Sequence, residues 1–134
     1  MRTARIIGVA IVLPLLCAGC GAKPAPVAES EISADIKNPT ELSQSTIQQG
    51  YALYHAADCV VCHGRLGDGK GFDAKNGHMN VHDWRNAEYI KNFTDAKLYA
   101  ILAKGKDVMP AYEKHNTPNQ LWFMVDYIRS LSMK

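Results

Sequence analysis

The sequence predicts an all-α domain built from three main helices. Three segments carry apolar residues at helical spacing behind clear start signals, and no segment shows the alternation of a β-strand. A polar loop over residues 64–93 separates the first two helices and is too long to be a simple connection. Because the domain is short and poor in aliphatic residues, we expect a large apolar group that the chain does not encode to fill its interior.

The N-terminus predicts export. Arg2 and Arg5 precede an apolar stretch over residues 6–16 that ends in small residues, which is the layout of a secretory signal peptide. A membrane helix is the alternative, but Pro14 interrupts the apolar run, which is barely long enough to span a bilayer. We therefore expect residues 1–19 to be a signal peptide and the protein to act in the bacterial periplasm.

Residues 18–20, Ala-Gly-Cys, resemble the end of a bacterial lipobox, in which the Cys is acylated and becomes the mature N-terminus. Cys20 is the predicted lipidation site, although Cys17 stands where Leu is usual, and cleavage after Ala22 is the alternative. Two or three acyl chains would give firm membrane attachment. Gly21 is not Asp, which by analogy with lipoprotein sorting favours an outer membrane if the host has one.

Residues 20–44 are expected to form a flexible tether, because their prolines and scattered charges show no apolar period. The predicted domain covers residues 45–134. Beyond Arg2 and Arg5, 13 basic residues balance 13 acidic residues. No clustered basic face indicates a nucleic-acid partner.

The first helix is predicted to begin at Ser45, which would form a capping box with Gln48. Gly50 lies in the middle of this helix and costs about 1 kcal/mol relative to Ala, which indicates a close helix contact. A short helical turn is expected inside the polar loop, around residues 86–91.

The second helix is predicted from its N-cap Thr94 to Lys104, where Gly105 stops it. The third opens with a capping box over residues 117–120 and has Pro at its first helical position. Residues 121–125 are apolar on nearly every side, so this helix must be covered from more than one direction.

The run CVVCHG over residues 59–64 places two thiols and an imidazole close together and allows three interpretations. A redox-active dithiol belongs at a strand-to-helix junction, and no strand is predicted here. A structural disulfide across so short a loop would add little stability.

Zinc is the second interpretation, because Cys59, Cys62, His78 and His82 match the spacing of a Cys2His2 site. The segment between the two pairs lacks the aliphatic residues that a zinc finger packs against its helix. Zinc would also leave His63 unexplained.

Haem is the third interpretation and accounts for the whole run. Cys59 and Cys62 lie on one helical turn, so each thiol can bond one haem vinyl group. The adjacent His63 then offers a nitrogen to the iron, which is the c-type attachment signature.

With this motif the sequence resembles the class I cytochromes c over residues 45–134. The resemblance includes GDGKG after the motif, and it extends to MPAY and YIRSL nearer the C-terminus. In that family an N-terminal helix crosses a C-terminal helix, and the positions of Gly50, Tyr54 and Tyr127 match that crossing. The resemblance implies a cytochrome c fold wrapped around one covalently attached haem c.

The resemblance also implies the site residues. Cys59 and Cys62 would carry the covalent haem, with His63 as the proximal and Met109 as the distal iron ligand. A Met thioether favours ferrous iron and keeps both oxidation states six-coordinate. A bis-His site is the alternative, with the second ligand drawn from His78, His82 or His115.

One departure from the family concerns the proximal ligand. Many members carry a Pro in the following loop whose carbonyl accepts a hydrogen bond from the proximal His, but residues 64–93 contain no Pro. We expect another carbonyl to accept the bond from His63. Trp84 and Arg85 are candidates to bind a haem propionate.

The function that the resemblance implies is one-electron transfer by a monomer that meets redox protein partners transiently. It is not expected to be an enzyme, because nothing near the motif resembles a substrate pocket and two protein ligands leave iron no open position. The alternative is a haem enzyme or ligand sensor with a labile sixth position. Carbon monoxide binding would favour the alternative, and a sulfur-to-iron charge-transfer band would favour the carrier.

Overall fold

The computed structural model describes residues 36–133, so the predicted signal peptide and Cys20 lie outside the described residues. Six helices occupy this range, in the order α1 (Gln44–Ala56), α2 (Cys59–His63), α3 (Phe72–Asn76), α4 (Ala87–Ile90), α5 (Asp95–Lys104) and α6 (Pro118–Leu131). The same residues contain no strand beyond an isolated bridge between Lys106 and Met109. The all-α prediction is confirmed. None of these helices is long and apolar enough to cross a membrane.

The capping signals set the ends of the helices. Thr94 caps α5 and Gly105 follows its last residue, as predicted, and the capping box of Thr117 and Gln120 opens α6. The predicted start of α1 is wrong. The capping box is formed by Ser43 and Thr46, because the Thr46 hydroxyl accepts from the Ser43 backbone N–H while the Ser43 hydroxyl accepts from the Thr46 N–H.

The polar loop contains two short helices. Asn86 caps α4, which confirms the predicted helical turn, since its side chain accepts from the backbone N–H groups of Glu88 and Tyr89. The other short helix, α3, carries no side-chain cap and was not predicted. Between α2 and α3 the chain turns back on itself, where Gly69 N–H donates to the His63 carbonyl and Gly71 N–H to the Cys62 carbonyl.

Helices α1 and α6 cross in close contact at Gly50. A methyl group at this position would overlap the Phe123 carbonyl oxygen and would lie 2.8 Å from Tyr127 Cβ. Tyr54, one turn further along α1, packs against Tyr127 with ring centroids 5.1 Å apart. The close contact predicted from Gly50 is confirmed, and it brings the end of α1 against α6.

Arg129 ties α6 to the start of α5. Its Nε donates to Asp95 at 2.7 Å, and its other nitrogens donate to the carbonyls of Ile90 and Phe93. Both carbonyls lie in the segment that joins α4 to α5, where the Ile90 carbonyl also accepts from the Phe93 backbone N–H at 3.1 Å. One side chain therefore fixes the junction between α4 and α5 on the surface of α6.

A buried carboxyl lies in the middle of α6. Asp126 is 1% exposed, and its two oxygens accept from Asn38 Nδ2 at 2.7 Å and from Thr40 Oγ1 at 2.8 Å. Both donors belong to residues 36–43, which we call the N-terminal strap. The strap falls within the predicted tether, so this part of the tether contacts the domain, while the boundary before residue 45 stays a prediction.

Replacing Gly50 by Ala tests the helix crossing. We expect Gly50→Ala to lower the free energy of unfolding of the holoprotein by about 1–3 kcal/mol or more, because the methyl group forces α1 away from the α6 backbone. Denaturant unfolding measures the change. Gln49→Ala, at the exposed neighbouring position, is the control and should be nearly neutral. Equal stability of the two variants would contradict the close crossing.

The strap contact is tested by Thr40→Val, which keeps the shape of the side chain and removes the hydroxyl donor. We expect a loss of about 1–3 kcal/mol, because a buried carboxyl oxygen of Asp126 is left without that partner. In an Asp126→Leu background the same substitution should cost less, because the Thr40 hydroxyl then has only Asn38 Oδ1 to donate to. An equal cost in both backgrounds would show that the hydrogen bond does not stabilise the fold.

Candidate functional site

Helix α2 places Cys59, Cys62 and His63 on one turn. The end of this helix is fixed from α1, because the buried Tyr54 hydroxyl donates to the Gly64 carbonyl at 2.5 Å. Burial raises the pKa of Tyr54, so the hydroxyl stays a donor. The contact joins the crossing of α1 and α6 directly to the CVVCHG run.

The two thiols are free in this structure, with Cys59 buried and Cys62 half-buried. Burial raises the pKa of the Cys59 thiol to about 11. A redox-active dithiol needs a thiolate at neutral pH, which requires the opposite shift. The dithiol interpretation is therefore disfavoured by the surroundings of Cys59 as well as by the absence of a strand among residues 36–133.

Met109 lies in a tight turn after α5. Lys106 and Met109 exchange two backbone hydrogen bonds, of 3.2 and 2.8 Å, and the following chain returns to α5 where Tyr112 N–H donates to the Leu102 carbonyl at 3.0 Å. Gly105 allows the turn, since it has φ +77° and a Cβ there would overlap the Met109 carbonyl oxygen. The half-buried Met109 side chain packs against the core.

One cavity brings the predicted site residues together. Its volume is about 480 Å³ and its lining includes Cys59, Cys62, His63 and Met109. This volume lies within the usual range of sites for small molecules and cofactors. The remaining lining is mainly apolar and aromatic, with Met79, Val81, Trp84, Tyr89, Ile90, Phe93, Leu98, Ile101, Val108 and Tyr112 among its members. A flat, apolar group with a polar or metal centre matches this lining.

His63 is poised to bind a metal. Burial lowers the pKa of its imidazole to about 4, so the ring is neutral at neutral pH, which is the form that ligates metals. Its Nδ1 is buried, and no residue between 36 and 133 accepts a hydrogen bond from it. The expectation that another carbonyl replaces the missing Pro is therefore wrong, because the loop wraps round His63 without presenting an acceptor.

The residues considered for a propionate have other contacts. Arg85 forms an exposed ion pair with Asp83 at 2.7 Å. The Trp84 indole ring stacks on the His63 imidazole, with centroids 4.0 Å apart and planes 26° from parallel. Trp84 therefore contacts a site residue directly rather than only lining the cavity.

Of the three histidines considered as a second iron ligand, one lies at the edge of the site. His78, His82 and His115 are exposed, and of these only His82 borders the cavity, where its ring stacks on Tyr89. Within the described part of the chain no three His, Cys, Asp or Glu side chains come together as a metal cluster. The Cys2His2 zinc interpretation has no geometric support there.

Met79 and Tyr112 are among the cavity residues that the sequence did not identify as site residues. Met79 is a large apolar side chain isolated in a polar loop, which is a signal that it packs against something. Tyr112 lies in the same return of the chain as Met109, and its hydroxyl donates to the Ala57 carbonyl at 3.4 Å. It thereby joins the Met109 turn to the segment before α2.

The fold, the cavity and the match to a cytochrome family model together define a class I c-type cytochrome, an all-α domain whose cofactor is covalently bound haem c and whose chemistry is electron transfer. A family model described as cytochrome c oxidase, cbb3-type, subunit III matches residues 45–128, and the chain belongs to that family. No curated protein sequence gives a significant match.

Two of the solved structures that match this chain illustrate the shared fold. A chain of the Kuenenia stuttgartiensis reducing HAO-like protein complex Kustc0457/Kustc0458 is similar with a TM-score of 0.61 and 22% identity. The match covers 72% of this chain and 49% of that chain, so this chain spans about half its length. The KustC0563 c-type cytochrome is similar with a TM-score of 0.52 and 24% identity, over 61% of this chain and 95% of that chain.

Proposed function

We propose that the protein is a one-electron carrier with one haem c, attached through thioether bonds to Cys59 and Cys62 and ligated by His63 and Met109. The observation that supports this proposal is that all four side chains line one cavity, although Met109 reaches it from the far end of α5. The bound haem would supply an iron that alternates between the ferric and ferrous states.

The protein's own residues suit electron transfer more than catalysis. His63 and Met109 would hold the iron in both oxidation states, which would keep the structural rearrangement on electron transfer small. The Met109 sulfur would favour the ferrous state and raise the potential. Met109 is supported over the histidines because its side chain packs on the core, whereas His82 at the cavity edge is exposed.

Electron exchange would occur at the rim of the cavity. Val108 lines the cavity and is 81% exposed, so a partner can approach the site closely at this point. We propose that the partners are redox proteins that bind transiently to a monomeric carrier. Small contact area and fast dissociation are typical of such encounters.

We also propose that the protein is exported and anchored by a lipid on Cys20, with an outer membrane favoured if the host has one. The sequence of residues 1–22 supports this location. A mass measurement of the mature N-terminal peptide separates an acylated Cys20 from cleavage after Ala22.

The ligand assignment is tested by comparing Met109→Ala with Met79→Ala in protein matured with haem. Both methionines line the cavity, so the second variant controls for lost packing. We expect Met109→Ala alone to lose the sulfur-to-iron charge-transfer band and to lower the midpoint potential, because axial ligands help to spread haem potentials over about 0.8 V. Optical and redox titrations measure both effects.

Wild-type protein should first retain haem on a denaturing gel, since thioether bonds survive unfolding. A colourless wild-type protein would reject the proposed function altogether. A spectrum of Met109→Ala identical to that of the wild type would reject Met109 as a ligand, and loss of the band in Met79→Ala alone would transfer that role to Met79.

A further inference from the structure

The His63 ring does not make the hydrogen bond that usually fixes the orientation of a metal-binding imidazole. A histidine that binds a metal through one nitrogen almost always donates its other N–H to a carbonyl or carboxylate, which sets the ring orientation. Nδ1 of His63 is buried without an acceptor among residues 36–133. The torsion that turns an imidazole ring has broad minima, so some other contact must select one orientation.

Trp84 supplies that contact. Its indole ring covers one face of the imidazole at 4.0 Å between centroids and 26° between planes, which is a stacked arrangement. Rotation of the imidazole out of this plane would drive its edge into the indole. No other aromatic ring contact of His63 is found in the described residues.

Trp84 is itself held in place on two sides. Its backbone N–H donates to the Gly67 carbonyl at 2.8 Å. Its ring meets that of Tyr54 edge to face, with centroids 6.2 Å apart, and Tyr54 is fixed by its hydrogen bond to Gly64. The indole therefore cannot follow a rotation of the imidazole, and the stack acts as a fixed support.

We propose that Trp84 is the positioning residue for the axial histidine: its indole fixes the plane of the His63 imidazole by stacking and leaves Nδ1–H without an acceptor. The inference rests on the proposed ligation of iron by His63 and adds the group that orients this ligand.

The missing acceptor has an electronic consequence. An acceptor on the second nitrogen makes an imidazole a stronger donor to its metal. Without one, His63 donates less strongly, which disfavours the ferric state and adds to the effect of a sulfur ligand. The orientation of the ring plane also decides how unpaired spin is distributed over the haem in the ferric protein, which gives a direct readout.

The experiment compares Trp84→Leu and Trp84→Phe with the wild type by proton NMR of the ferric holoprotein. We expect Trp84→Leu to narrow the spread of the haem methyl shifts, because the imidazole is free to turn, and to lower the midpoint potential as water reaches Nδ1. Trp84→Phe keeps an aromatic face and should retain the wild-type pattern.

Trp122→Leu is the matched control. Trp122 stacks on Tyr99 at 4.3 Å in the core and does not line the cavity, so its loss weakens packing without touching His63. This variant should keep the wild-type methyl spread and potential. An unchanged spread in Trp84→Leu, or an equal narrowing in Trp122→Leu, would overturn the positioning role.

If Trp84→Leu fails to retain haem, proton NMR of the wild-type ferrous protein tests the contact between Trp84 and His63 instead. Nuclear Overhauser contacts between the indole protons of Trp84 and the ring protons of His63 would support the inference, and their absence would overturn it. Wild-type protein without covalent haem would remove the proposed function as well. If the wild type shows the expected haem spectrum but Trp84→Leu leaves the haem methyl shifts unchanged, only this inference is rejected and the proposed function stands.

Discussion

The site depends on the contact of two helix backbones at Gly50. Because a side chain at this position would strike the Phe123 carbonyl, α1 lies against α6 only with glycine there. That approach brings Tyr54 to the Gly64 carbonyl, and so fixes the end of α2 with its thiols and imidazole. A constraint between the two ends of the domain thus determines where the CVVCHG run lies.

The opposite wall of the cavity is built by different means. The Met109 turn follows α5, which is attached to α6 through apolar packing and through Arg129. Helix α2 on one side and the Met109 turn on the other are thus both held by elements that pack on α6. They enclose a space that their own side chains do not fill. Haem c would supply the missing interior, which explains how a short chain with few aliphatic residues forms one stable domain.

Local signals predicted much of this arrangement. The caps of α5 and α6 lie within a few residues of the ends that they determine, and the cavity residues of α2 lie in a single run. The start of α1 was misplaced because Ser43 and Ser45 are equally plausible caps from sequence. The lack of an acceptor for Nδ1 of His63 and the donors to Asp126 both depend on chain segments that only folding brings together, and no local pattern contains them.

The N-terminal strap also has a mechanical consequence. Asn38 and Thr40 of the strap bind Asp126 in the middle of α6. Both residues precede the first turn of α1 in the sequence. A force applied to the polypeptide ahead of residue 36 would load these two hydrogen bonds before it could peel α1 from its partner. The strap thereby protects the crossing of α1 and α6, which positions the site, from a pulling force on the chain before residue 36.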